Sequence, residues 1–410
     1  MHGANDNSRS LARSTIIGNT LALFLGNAAG NLFSFILMVF LARFLGDVAV
    51  GQYSFIFATG FLIVLLGNPG LEYIIIKEVP ANDRLILTYG PNILSLKIIL
   101  AVFAVIVTGF IALNIKKDPT VISCLLIVSI IYGFDVVGAV FSSVLQANER
   151  MVLMSLAEVI ERGVAFMLGI IVLYYTRSLL YLVLALLVSR ILREGLYISF
   201  AKKYFNARFG FDLQLWKKLL VTSFPFSFSI TFLYVYYKID TVMLSLMVND
   251  QVTGWYNAAY RLVDVVNYVP FLIVTAILPS LARSSKKDKD LLIDLFNRSL
   301  RYLIILAAPI GLGTYLLAPR IIKVVYGEGF SNAVIALKIL ILAEVFVFVN
   351  YLGGQLLNVI DKQKAYTMII GVTAAVNILL NVILIPKYTY IGASVATLLC
   401  EVLVFILVYH

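Results

Sequence analysis

The chain has 410 residues, of which 61% are hydrophobic and 13% charged, with a formal charge of +10 and a mean hydropathy of +0.97. Soluble domains carry roughly 25% charged residues, so a water-soluble fold of this size is excluded and lipid must be the solvent. The positive charge does not indicate nucleic acid, because most basic residues fall in breaks between apolar runs, where orientation signals lie. The two histidines, His2 and His410, sit at the chain ends and give imidazole catalysis no support. Cys124 and Cys400 lie inside apolar runs with no metal or disulfide spacing.

Residues 1–13 are polar and include Arg9 and Arg13. The apolar run behind them reaches Phe44, too long for a signal-peptide core, and reads as an uncleaved first span. A helix needs about 20 apolar residues to cross a bilayer. Twelve runs meet that need, over 15–44, 50–76, 89–114, 120–147, 152–175, 178–201, 217–248, 253–282, 299–318, 332–359, 365–385 and 390–409. The expected fold class is therefore all-α integral membrane, with twelve transmembrane helices. Between spans six and seven, Phe200–Trp216 carries Lys202, Lys203, Arg208 and Asp212 and reads as a polar linker. The longest loop, Arg283–Arg298, reads as solvated, with Leu291, Leu292, Leu295 and Phe296 forming an amphipathic stretch at the membrane surface. Eighteen loop Lys and Arg, from Arg9 through Lys202 and Lys286 to Lys364, fall on one side of the predicted topology. Seven, including Arg43, Lys116 and Lys323, fall on the other. The excess places the first side, with both termini, in the cytoplasm.

The turn after span one recurs after span seven. Leu45-Gly46-Asp47-Val48-Ala49-Val50-Gly51-Gln52-Tyr53 and Val248-Asn249-Asp250-Gln251-Val252-Thr253-Gly254-Trp255-Tyr256 keep Asp, Gly and Tyr in register, 203 residues apart. A second echo links Leu145–Arg150 with Leu357–Lys362. Six spans plus six describe two pseudo-symmetric lobes, set at 1–210 and 211–410. An even span number gives both lobes the same orientation, with the symmetry axis along the membrane normal.

The chain resembles the multidrug/oligosaccharidyl-lipid/polysaccharide exporter superfamily, and within it the O-antigen type polysaccharide flippases. The resemblance rests on Leu41-Ala42-Arg43-Phe44-Leu45-Gly46 through Tyr53, Gly70-Leu71-Glu72 with Lys77-Glu78, and Ile239-Asp240-Thr241-Val242-Met243-Leu244. It continues in Ala318-Pro319-Arg320 with Tyr326-Gly327-Glu328-Gly329-Phe330, and in Asn377–Asn381 with Ile385-Pro386-Lys387-Tyr388 and Gly392-Ala393-Ser394. It implies six-helix lobes around a central cavity. It also implies transport, not catalysis, of a polyprenyl-linked oligosaccharide across the cell membrane. Membrane lipids, glycosyltransferases or a glycan polymerase are the implied partners. No bound cofactor is implied; proton, sodium or membrane-potential coupling stay open. A cation-coupled drug exporter, a lipid II flippase and a scaffold subunit of a glycan polymerase are the alternatives.

Such a substrate pairs an apolar tail with a phosphate and a polar glycan, so charges inside spans are the candidate residues. Lys238 and Asp240 lie in span seven; Arg261 and Asp264 lie in span eight on one helix face. They form either a site for the anionic head or a coupling ion, or an Asp240–Arg261 ion pair that locks the hairpin. Lys97 is either a phosphate contact or a side chain snorkelling to the headgroups. Arg43 is either a cavity residue or an interface anchor. Glu158, Glu161 and Arg162 in span five face Arg190, Arg193 and Glu194 in span six, as structural pairs or an ion-coupling group. Asp135, Glu344 and Glu401 have no partners near them in sequence; Asp135 and Glu344 are the candidate ion-coupling carboxylates. Asn27, Asn31, Gln52, Tyr53, Tyr236, Tyr237, Gln355 and Asn358 are candidate glycan contacts or helix-to-helix bonds. Pro69, Pro225, Pro270, Pro279 and Pro309 are hinges or static kinks.

Overall fold

The computed structural model describes residues 3–410 except Asp83 and Lys116. Side chains are described for all of these but residues 3–25, Asn27, Leu66, Pro225, Phe226, 228–230 and Lys287. Lys116, and the side chains of Arg9, Arg13, Asn27 and Pro225, therefore lie outside the described residues.

Twelve α-helices are present among the described residues: α1 (Gly3–Leu66), α2 (Glu72–Glu78), α3 (Leu85–Asn114), α4 (Pro119–Ala147), α5 (Met151–Thr176), α6 (Leu179–Ala201), α7 (Leu213–Met247), α8 (Asp250–Val266), α9 (Tyr268–Lys287), α10 (Lys289–Tyr326), α11 (Ala333–Val359) and α12 (Gln363–Tyr409). The count matches the twelve predicted spans, but the division differs. Helix α1 runs through the first two spans and is broken at Gly46, whose φ of 83° is one that glycine adopts without strain. Span two then stops at Gly67-Asn68-Pro69-Gly70 and resumes as α2. Span eight is divided into α8 and α9 at Asn267. Helix α12 holds the last two spans, broken at Thr389. Among the described residues, seven stretches are long and apolar enough to cross a membrane, including Ala28–Leu65 and Gln363–Tyr409. Helices α5, α6 and α7, at 26, 23 and 35 residues, are long enough as well, and α5 and α6 carry charges near mid-helix.

The chain divides into two compact units, Met1–Phe40 with Thr59–Ser227, and Leu41–Ala58 with Phe228–His410. In the first unit, Ile75, Ile93, Val140, Val144 and Leu145 make a core beneath α2, α3 and α4. The stretch expected to be a polar linker belongs to this core. Phe205 packs so closely on Gly90 that a β-carbon there would overlap its ring. Asn92 accepts from the Asp212 amide (2.9 Å) and the Trp216 indole (3.1 Å), and Ser95 accepts from the Gly210 amide (3.1 Å). Its aromatic residues outweigh its charges and dock it on α3.

In the second unit, α9, α10 and α11 share a core of Val274, Leu281, Leu303, Phe348 and Leu352. The expected loop at 283–298 is almost wholly helical. Helix α9 runs to Lys287, and Asp288 caps α10 by accepting from the amides of Asp290 and Leu291, each at 3.0 Å. Leu292, Leu295 and Phe296 pack against the helical core; Leu291 alone of the four stays exposed.

Candidate functional site

The second unit gathers buried carboxylates among tyrosines and amides. On α7, Asp240 is 2% exposed and accepts a bond from the Tyr256 hydroxyl on α8. Tyr256 also lies 3.4 Å from the Thr397 hydroxyl on α12. The expected Asp240–Arg261 pair is not formed. Tyr256 takes the place beside Asp240, and Arg261 instead lies 3.8 Å from Asp264, one turn along its own helix. Lys238 is near enough to Asp240 and Asp264 to act electrostatically on both. Glu401 on α12 accepts from Tyr236 (2.7 Å) and from Asn350 on α11 (2.8 Å). Glu344 on α11 is 3% exposed, and its Oε1 has no hydrogen-bond partner. The partners of Glu401 lie 165 and 51 residues away, so it has none near it in sequence, as expected, but it is not left unpaired in the fold.

Close by in the second unit, Asn377 and Asn381 are fully buried one turn apart on α12. Asn381 donates to Asn377 at 3.0 Å, which leaves the Asn377 amide nitrogen and the Asn381 carbonyl oxygen unmatched. Sequence reasoning placed both in a family motif but assigned them no role; the signal was two amides at i, i+4 inside a span. It likewise read Tyr256 only as the end of the repeated turn.

The repeated turn becomes a helix crossing inside the second unit. A β-carbon on Gly51 would sit 2.9 Å from the Gly254 nitrogen and closer still to the Asp250 carbonyl oxygen. A β-carbon on Gly254 would sit 2.8 Å from the Asp47 carbonyl carbon and 3.2 Å from the Gly51 nitrogen. The contact is reciprocal, glycine of each copy on the Asp backbone of the other, as a two-fold relation requires. Asp47 strengthens it by accepting from the Trp255 indole (2.8 Å) and the Gln251 amide (2.9 Å).

Beside this crossing, Arg43 donates to the carbonyls of Val324 and Val325 (2.9 Å), two of the last acceptors of α10. It lines a cavity of about 480 Å³ with Asp47, Lys323, Tyr326, Phe330 and three glycines. Arg43 is exposed and combines a place in the cavity wall with a clamp on the end of α10.

In the first unit Lys97 neither snorkels nor stands open to a ligand. It is fully buried, 2.5 Å from Glu72 and 3.1 Å from Asn68, across the break between α1 and α2. Asp135 is not partnerless: Arg193 lies at 2.6 Å and Arg190 at 3.2 Å, both from α6. Arg190 also approaches Glu161 of α5 (3.8 Å), as expected of neighbouring spans, whereas Arg162 bonds Asn31 of α1.

The sequence model described as polysaccharide biosynthesis protein matches residues 16–285. The chain belongs to that family. A second family model, MatE, matches residues 225–383. The chain is 32% identical over 170 residues to a probable flippase, AglR, of Haloferax volcanii, covering 40% of this chain and 35% of AglR. The lipid II flippase MurJ in an inward closed conformation superposes with a TM-score of 0.76 at 17% identity, over 96% of this chain and 86% of MurJ. An inward-facing MATE transporter of the MOP superfamily superposes with a TM-score of 0.75 at 14% identity, over 93% and 94%. The family member described here is thus a multi-pass membrane protein with the fold of MOP-superfamily transporters.

Proposed function

We propose that the protein is a flippase that carries a polyprenyl-linked oligosaccharide from the cytoplasmic to the outer leaflet of the cell membrane by alternating access, with both termini in the cytoplasm. The family match over residues 16–285 carries this reading, and the partial likeness to a probable flippase supports it. Lys238 and Arg261 are the cations assigned to the phosphate or pyrophosphate of the substrate. Asp240, Asp264 and Glu344 set the local charge that cargo and coupling ion must answer. Glycosyltransferases or a polymerase would act on either side of the step.

The test is reconstitution of the purified protein with a fluorescent polyprenyl-pyrophosphate oligosaccharide, scored by its exposure to a membrane-impermeant glycosidase. Translocation above protein-free vesicles is expected, with Lys238→Gln and Arg261→Gln reducing it at unchanged melting temperature. Absence of translocation for every polyprenyl-linked sugar tried, with a normally melting protein, refutes the reading.

A cation-coupled drug exporter is the second reading. It is favoured by the MatE match over 225–383 and by Asp240, Glu344 and Glu401, each at most 5% exposed, outnumbering Lys238 and Arg261. Cation-driven efflux of lipophilic dyes from the same vesicles, without sugar-lipid movement, would select it. Lipid II as the probe in the same assay covers the remaining flippase alternative.

A further inference from the structure

Helices α4, α5 and α6 pack on one another within the first unit. Helix α4 supplies Asp135; α5 supplies Glu158, Glu161 and Arg162; α6 supplies Arg190, Arg193 and Glu194. Arg193 joins Asp135 and Glu194, and Arg190 joins Asp135 and Glu161. At the edges, Glu158 accepts from the Tyr197 hydroxyl (3.2 Å), and Arg162 donates to Asn31 (2.9 Å). Among the described residues, four carboxylates therefore meet three guanidiniums, one acid in excess. Lys97 and Glu72, on α3 and α2, which also pack on α4, are bonded to each other and leave that count unchanged.

The excess has an address. Glu194 is 5% exposed, and its Oε1 is held by Arg193. Its Oε2 is buried with no hydrogen-bond partner among the described residues. The carboxylate lies against Gly138 of α4, where a β-carbon would come within 2.8 Å of Oε1 and closer still to Oε2. An ionised oxygen in that position is shut off from bulk solvent and accepts no hydrogen bond as it stands, and buried groups in that state take the neutral form instead. Arg190 Nε, one helical turn away, is likewise buried without a partner. It is a donor available to the ionised form, so the proton can leave as well as bind.

We propose that the α4–α5–α6 cluster is a proton site that holds one exchangeable proton on Glu194 at neutral pH. Binding converts the Glu194 carboxylate to the acid and brings the cluster from one negative charge to none; release returns the proton to water and restores the carboxylate. The site does not depend on what the protein carries, so failure of the flippase assay leaves it standing.

The full-length protein in lipid nanodiscs tests this by pH-difference infrared spectroscopy of the carboxylic-acid C=O stretch. Wild type is expected to show a titrating acid band that survives Glu344→Gln and Glu401→Gln and vanishes in Glu194→Gln. Asp135→Asn leaves three acids facing three arginines, so the same band should vanish although Glu194 is present. No titrating acid band in wild type overturns the proposal. So does a band that persists in Glu194→Gln or one that survives Asp135→Asn. If Glu194→Gln does not fold, the wild-type spectrum and Asp135→Asn still decide.

Discussion

Replacing Gly51 by alanine puts a methyl group into the helix crossing made by the two copies of the repeated turn. The new carbon would lie 2.9 Å from the Gly254 nitrogen and nearer to the Asp250 carbonyl oxygen. Relaxed carbon contacts lie at about 3.5–4.0 Å, so the backbones must part by on the order of an ångström. Both obstructing atoms are main chain and cannot rotate away. Overpacking of this kind costs about 1–3 kcal/mol, and parting the helices also strains the Trp255 and Gln251 bonds to Asp47. Gly254→Ala should behave alike. The double variant should cost less than the sum, because the second methyl enters a gap already opened by the first. Gly195→Ala and Gly313→Ala are the controls: no neighbouring heavy atom lies within 4 Å of the added carbon, and alanine in a helix interior gains roughly 0.5–1 kcal/mol over glycine. Melting of the detergent-purified proteins, followed by tryptophan fluorescence at one scan rate, should rank both crossing variants below wild type and both controls at or above it. A Gly51→Ala protein that melts with the controls, or a strictly additive double variant, refutes the close crossing.

Three further outcomes are expected. Lys97→Met leaves Glu72 without its ammonium partner; breaking a buried pair costs about 3–5 kcal/mol, towards the lower end here because the Glu72 side chain is 26% exposed. Folded yield should fall, and the apolar pair Lys97→Met with Glu72→Leu should recover most of it. Tyr256→Phe removes the hydroxyl donated to Asp240, at about 1–3 kcal/mol for a buried acceptor left short; its effect on melting should shrink when Asp240→Asn is already present. Arg43→Ala uncovers the Val324 and Val325 carbonyls; amide exchange should quicken around residues 324–330 with little change in melting. Lys at position 43 should not restore protection, because it lacks the guanidinium fork.

What was legible in the sequence was local chemistry. Apolar run length gave twelve spans, and the spacing of Asp, Gly and Tyr marked two related turns that meet as related contacts. Pairing between helices was harder to read. Whether Asp240 meets Arg261 or Tyr256 depends on which face α8 turns to α7, and the two side chains lie on different faces of that helix. Asp135 looked solitary because its two arginines come from α6, 55 and 58 residues away. Lys97 looked like an interface lysine because Glu72 reaches it only across a break that ends one helix and begins another. Charged residues mark a polar segment only when the aromatic residues between them have nowhere to bury; Phe205 and Trp216 do, and so the stretch before α7 docks.

Residues Leu41–Ala58 pack with the second unit, yet the chain on either side of them belongs to the first. Neither half is consequently a transplantable module. A gene cut near residue 210 strands this segment on the wrong fragment and deprives Gly254 of its counterpart. Chimeras between relatives should work only when the crossover carries residues 41–58 with the second half, or when both parents keep glycine at positions 51 and 254. Positions 51 and 254, though 203 residues apart in the chain, are therefore free to change only together.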